Sequence, residues 1–198
     1  GRIGHGSMPF LGVSAIDGMG RLLQSVREEL MPALAARRTD VPVVPPAARH
    51  ATINVNGVEG GQPVDGIQTP CVADLCRAVF DRRFLIEEGF EATRQEIADL
   101  VTRVAAQAGG VRFDLRDLMV VHPVRTPDDS PVIAALEQSI ERVLGRRAER
   151  IASPGTYDHK HITRIAGIPH CVAYRPGELE LAHQPDESFH LAVIVTAT

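Results

Sequence analysis

No run of about 18 apolar residues occurs in the 198-residue sequence, so no membrane-spanning helix is expected. Cysteine is scarce and unpatterned. Cys71, Cys76 and Cys171 are odd in number and lack C-x-x-C spacing. This argues against a disulfide framework and against a thiolate zinc site, and it suits reduced thiols in the cytoplasm. Neither sign of charge dominates: 21 Lys and Arg against 25 Asp and Glu leave a net charge of −4. A nucleic-acid or anionic-membrane partner therefore gains no support. Internal repeats are absent, and the one biased tract is Val41–Ala48, which holds three prolines. An initiating Met and a signal peptide are also missing. Gly1-Arg2-Ile3-Gly4-His5 reads like the end of a strand whose beginning has been cut away. What is present is ordinary for a globular chain, with 44% hydrophobic and 23% charged residues. The length suffices for one or two domains with a core.

Gly4-His5-Gly6-Ser7-Met8-Pro9 is a loop by its glycines and proline. Ile16, Met19, Leu23, Val26 and Leu30 then recur at helical spacing, with Ser14 as N-cap and Pro32 marking a kink or end near Leu34. Val41–Ala48 is a linker, and Thr52–Asn56 a short strand closed by Gly57 and Gly60-Gly61. Val72–Phe84 reads as a long strand whose Arg and Asp residues mark a wet face. Glu91–Ala108 is a second helix, burying Ile97, Val101, Val104 and Ala108 and ended by Gly109-Gly110. Val111, Phe113 and Leu115 alternate with charged residues, a half-buried strand signal. With a truncated strand before Gly4, the order is β-α-β-β-α-β. That is a ferredoxin-like α+β arrangement, with both helices on one side of a four-stranded sheet and a free sheet face or edge for a partner.

His122-Pro123 and Thr126-Pro127 break the chain, placing a boundary between domains 1–122 and 123–198. Ser130-Pro131 caps and starts a helix with Ile133, Leu136, Ile140 and Val143 on its buried side. A strand near Glu149–Ala152, a short helix from Asp158 and a buried strand over Ile165–Tyr174 follow. This second part is α/β in character and small for an independent core. It carries two stretches rich in His and carboxylate: Gly155–His161 and Ala182–Glu187. A neutral imidazole there is a natural zinc ligand, and nearby carboxylates could orient it. On spacing alone, a polar loop with a surface His is the favoured reading, since one His is not a zinc site.

The Gly155-Thr156-Tyr157-Asp158 stretch, Ala166-Gly167-Ile168-Pro169, Arg175-Pro176-Gly177 and Ala182-His183-Gln184-Pro185-Asp186-Glu187 together resemble the C-terminal signature of a zinc peptidase and deacylase family. That family includes acetylornithine deacetylase, succinyl-diaminopimelate desuccinylase, aminoacylase and carboxypeptidase G. The first half is similar to the family's inserted lid or dimerisation domain. The marks are Gly4-His5-Gly6-Ser7-Met8-Pro9 with Gly12-Val13-Ser14-Ala15-Ile16, then Ile53-Asn54-Val55 with Gly60-Gly61, then Phe80-Asp81-Arg82-Arg83.

The resemblance implies a dizinc amidohydrolase acting on N-acyl amino acids or small peptides, dimeric through its lid, with zinc or cobalt as metal. It implies His183 as a zinc ligand. It implies His5 as the lid His that reaches the neighbouring subunit's active site and hydrogen-bonds the developing oxyanion. Arg83 corresponds to the lid arginine that holds a substrate carboxylate. Lys160 stands where the family has Arg after its G-T-D, keeping a cation without the bidentate grip. The other family ligands lie in an H-x-D motif, a bridging Asp and a Glu-Glu pair that precede the lid. The chain lacks them, so it resembles a fragment and is expected to be inactive alone. Pro70-Cys71-Val72-Ala73 replaces the family's Asn-Val-Ile-Pro, so a substrate-contacting Asn is missing. Two other readings stay open: a non-catalytic homodimerisation module built on a strand edge, and a metal-binding protein using His159, His161 and His183.

Overall fold

Ser14 accepts a hydrogen bond from the Asp17 backbone N–H at 3.1 Å and so starts helix α1, Ala15–Ser25. The computed structural model describes residues 1–174. Past Ser25 the helix widens into one π turn, Val26–Leu30, where the Met31 N–H reaches back to the Val26 carbonyl. Pro32 has no N–H to give. It sits in the first turn of α2, Met31–Ala35, where that donor is not needed. The proline thus leaves a bulge in a continuous helical path.

The two ladder-forming strands are β1, Thr52–Gly60, and β2, Cys76–Arg83. They pair antiparallel from Thr52 opposite Arg83 to Gly60 opposite Cys76, with a register shift between Val55 and Gly57. Ile53, Val55 and Val58 stand opposite Arg82, Phe80 and Ala78. Ala78, Phe80 and Cys76 pack against the core, so Thr52, Asn54 and Glu59, with Arg83, Asp81 and Arg77, line the other sheet face. Helix α3, Phe90–Gln107, brings Leu100 and Val104 to the same core. Met19, Leu22, Val26, Leu30 and Leu34 enter it from the first helical stretch, and Ala51 and Ile53 from the β1 side.

The outer strands expected at both ends of this sheet are not ladders. Gly1–Gly6 is joined to its neighbours by isolated bridges, Arg2 to Val13 and His5 to Cys71. Val111–Leu115 forms no strand: Val111 is buried and Phe113 touches the core, but no ladder hydrogen bonds accompany them. Alternation reported burial, and burial does not require pairing. Val111 packs where Gly18 has no side chain; a Cβ there would stand 2.8 Å from its methyls.

Gly1–Arg38 and His50–Val120 form one compact unit. Thr39–Arg49 and the described residues from Val121 on form the second. The proline-rich stretch is therefore ordered in the second unit: Val43 is buried, and Ala152 donates its N–H to the Pro42 carbonyl at 2.7 Å beside a parallel bridge between Val43 and Ala152. Helix α4, Pro131–Leu144, ends on Gly145 in the left-handed conformation at φ 64°. Ser130 occupies its N-cap position without making the cap bond, and its hydroxyl is buried with no partner. Ile140 is buried as expected, whereas Val143 is 62% exposed.

Helix α5 runs His159–Arg164. The buried strand expected over Ile165–Tyr174 is a loop instead. Ile165 is 81% exposed, and among the described residues no strand lies beside it to pair. No helix among the described residues is long and apolar enough to cross a membrane.

Candidate functional site

His5 lies in a turn clamped to the chain on both sides. Gly6 N–H donates to the Pro70 carbonyl at 2.6 Å and Val72 N–H to the Gly4 carbonyl at 2.7 Å. These bonds flank the His5–Cys71 bridge without involving either residue's own backbone. That is a non-hydrogen-bonded antiparallel pair, in which the two Cα atoms approach to roughly 4.5 Å and the side chains share a face. The Met8 N–H closes the turn on the His5 carbonyl at 2.8 Å. The imidazole itself is exposed, with Nδ1 2.7 Å from the Ser7 hydroxyl and 3.2 Å from the Ser7 N–H. Gln62 donates to the Cys71 thiol at 3.0 Å.

Arg83 ends β2 on the open sheet face, half-exposed. Its guanidinium donates through Nε and Nη2 to Asp81 Oδ2, at 3.1 and 2.8 Å. β2 alone spans roughly 23 Å at about 3.3 Å per residue. Arg83 is at one end of it, and His5 pairs with Cys71, beyond the other. Within one chain the two candidate residues are not brought together.

At the Arg83 end of β2 lies a cluster that sequence reasoning missed. Arg82 alternates to the core side, where its side chain is 9% exposed. It donates to Glu88 at 2.6 Å, with Glu96 at 3.7 Å. Arg37 donates to Glu88 at 2.9 Å and, through both Nη atoms, to Glu96. Glu88 also accepts the Leu85 N–H at 2.7 Å. Burial pushes the Glu88 carboxyl up. Its bonds from Arg82, the Leu85 N–H and Arg37 outweigh that and hold it below the usual carboxylate range. Glu96 and Glu88 together hold the Arg37 guanidinium well above its ordinary value. The cluster borders a cleft of about 330 Å³; its charges are paired with one another, and Arg82 Nε alone among its guanidinium and carboxylate atoms is buried without a partner. The available signal was strand period: an arginine next to Arg83 must face the core, and a buried arginine needs carboxylates.

Lys160 is half-buried on α5 in the second unit. Beside it, His159 Nε2 is buried without a partner, and burial pushes that imidazole down. His161 is exposed. His183 lies outside the described residues. Among the described residues no three His, Cys, Asp or Glu side chains gather to hold a metal ion.

The family described as the peptidase dimerisation domain, in its M20 form, matches residues 1–109. The chain belongs to the M20 peptidase family. It is also similar to an acetylornithine deacetylase from Edwardsiella ictaluri (strain 93-146), 29% identical over 202 residues that cover 98% of this chain and 46% of the relative. In fold it is similar to the crystal structure of an M20 family metallo-carboxypeptidase from Sulfolobus solfataricus, with a TM-score of 0.62 and 20% identity. That likeness covers 100% of this chain and 53% of the neighbour. The chain thus spans about half the length of the relatives it matches.

Proposed function

We propose that this chain supplies the lid and part of the catalytic domain of an amidohydrolase that cleaves the amide bond of N-acyl amino acids or small peptides, as a deacetylase or desuccinylase does. The observation that carries the reading is the dimerisation-domain match over residues 1–109, joined to a deacetylase relative aligned along nearly the whole chain. The lid is residues 1–122 and the catalytic part 123–198. The lid's finer arrangement is ferredoxin-like, with the bridged Gly1–Gly6 segment in the place of its first strand and the packed Val111–Leu115 segment in that of its last. On this reading the enzyme is cytoplasmic.

Zinc, two ions per site or cobalt in their place, belongs to the whole enzyme, with His183 as one ligand. Among the described residues no ligand set is gathered, and on this reading the chain by itself does not turn over substrate. What its own residues do is bind and orient. Arg83 offers a guanidinium fork to the substrate carboxylate, exchanging its present partner Asp81 for it. Lys160 adds a second, monodentate cation. His5 donates a hydrogen bond to the carbonyl oxygen as negative charge develops there.

The span of β2 supports a division of this work between subunits, because one lid cannot bring His5 and Arg83 to one small substrate. A homodimer through the lid resolves it. Neither outer edge of the β1–β2 sheet is laddered among the described residues, which leaves an edge for a second copy. The test is His5→Ala in the full-length enzyme. Turnover should fall roughly a hundredfold or more with metal content unchanged. Undiminished turnover would remove His5 from the reaction.

A further inference from the structure

We infer that Ser7 is a positioning residue that fixes the tautomer and direction of the His5 ring, leaving Nε2–H as its outward donor. The role in turnover rests on the reading of His5 given above; the tautomer does not.

His5 to Met8 is closed once by the main chain, Met8 N–H to His5 carbonyl, and a second time by the side chain, Ser7 N–H to His5 Nδ1 at 3.2 Å. Here the imidazole does what Asp or Asn does in an Asx turn, accepting the N–H two residues on. A backbone N–H can only donate, so Nδ1 must carry a lone pair. In the neutral ring the proton is then on Nε2. The Ser7 hydroxyl, 2.7 Å from the same Nδ1, has a free rotor and points its hydrogen at that lone pair. Two donors from one residue thus hold one ring nitrogen, and the opposite nitrogen projects from an exposed side chain.

The frame beneath the ring is fixed as well. Backbone bonds at Gly4 and Gly6 hold the His5 backbone on both sides. Gly6 fits there because a Cβ would stand 3.0 Å from the Pro70 carbonyl group. An oxyanion needs a donor. A ring locked with Nδ1–H inward would present only an acceptor, and a ring free to flip would do so part of the time. Ser7 removes that alternative.

The test uses the chain itself, uniformly labelled with ¹⁵N, at a pH where His5 is neutral. Long-range proton–nitrogen correlation spectra should show Nε2 as the protonated nitrogen of His5 and Nδ1 as the bare one. Ser7→Ala keeps the N–H donor at 3.2 Å but loses the shorter hydroxyl bond, and should shift both resonances part-way towards the averaged values of a mobile, mixed ring. Ser7→Thr, which keeps the hydroxyl, should restore the original pattern. A protonated Nδ1 in the unaltered chain, or identical spectra in Ser7→Ala, overturns the proposal. In the full-length enzyme Ser7→Ala should lower kcat roughly tenfold, the scale of lost orienting partners on functional imidazoles. KM should hold within about twofold, and Ser7→Thr should recover most of the loss. An unaltered kcat in Ser7→Ala overturns the positioning role. If His5→Ala is itself fully active, the oxyanion reading falls alone, and the spectra still decide for or against Ser7.

Discussion

Arg82 and Arg83 are neighbours with opposite fates, and strand geometry decides which is which. Arg83 stands on the open face in contact with Asp81; Arg82 goes inward and is held by two carboxylates. Removing one acceptor from such a group strands a buried charge, which costs more than the pair contributes. Glu88→Ala should therefore destabilise the fold by about 2 kcal/mol, less than for a lone buried pair because Glu96 remains near Arg82. Urea unfolding measures it. The same carboxylate gives a pH dependence. Its value in the folded chain is lowered, so its contribution is fully present above the unfolded value of about 4.3. It is lost as pH falls through the folded value. The acid limb of the stability curve should flatten in Glu88→Gln, and an unaltered limb would show that Glu88 does not set it. The sequence reading treated the arginines of β2 as one wet face, because charge type alone does not reveal a buried ion cluster. His5 and Arg83 become candidates through motif likeness, not through any local pattern: their partners Ser7 and Asp81 are two residues away and carry no signal of a site.

At the scale of elements, two serines separate what a cap looks like from what it does. Ser14 and Ser130 both precede a helix and both satisfy the sequence signature. Ser14 makes its bond to the Asp17 N–H, while Ser130 is 1% exposed and makes none. Ser14→Ala should cost about 1 kcal/mol. Ser130→Ala removes an unsatisfied buried hydroxyl and should be neutral or stabilising. Thermal denaturation of both variants checks the contrast, and equal losses would contradict it. The helices were legible because their 3.6-residue period is local: α1, α3 and α4 begin within a residue or two of the expected positions. The strands were less so. β1 and β2 are present, whereas 111–115 and 165–174 carry the apolar pattern without a ladder. A helix supplies its own hydrogen-bond partners. A strand needs a neighbour, and the pattern of one segment says nothing about whether that neighbour is there. Leu34, 1% exposed at the end of α2, shows the same locality in packing. Pro32 set the expected helix end near it, and the π turn Val26–Leu30 had no sequence signal beyond that proline.

At the scale of the whole molecule, the proposed reaction requires two chains, and that requirement can be tested without a structure of the dimer. His5 belongs to the lid and is remote in sequence from His183. The span of β2 keeps His5 away from Arg83 within one chain. If His5 acts on the site of the neighbouring subunit, each active site of the full-length dimer draws His183 from one chain and His5 from the other. His5→Ala homodimers lack the oxyanion donor at both sites, and His183→Ala homodimers lack a metal ligand at both. A heterodimer of the two variants places both lesions in one site and neither in the other. Mixing the two inactive proteins under conditions that exchange subunits should therefore restore activity, to at most about half of the unaltered enzyme per heterodimer. Donation within a chain predicts the opposite, because every site would then carry one lesion. Native mass spectrometry counts the heterodimers. Heterodimers that form and remain inactive would place His5 at its own chain's site or at none.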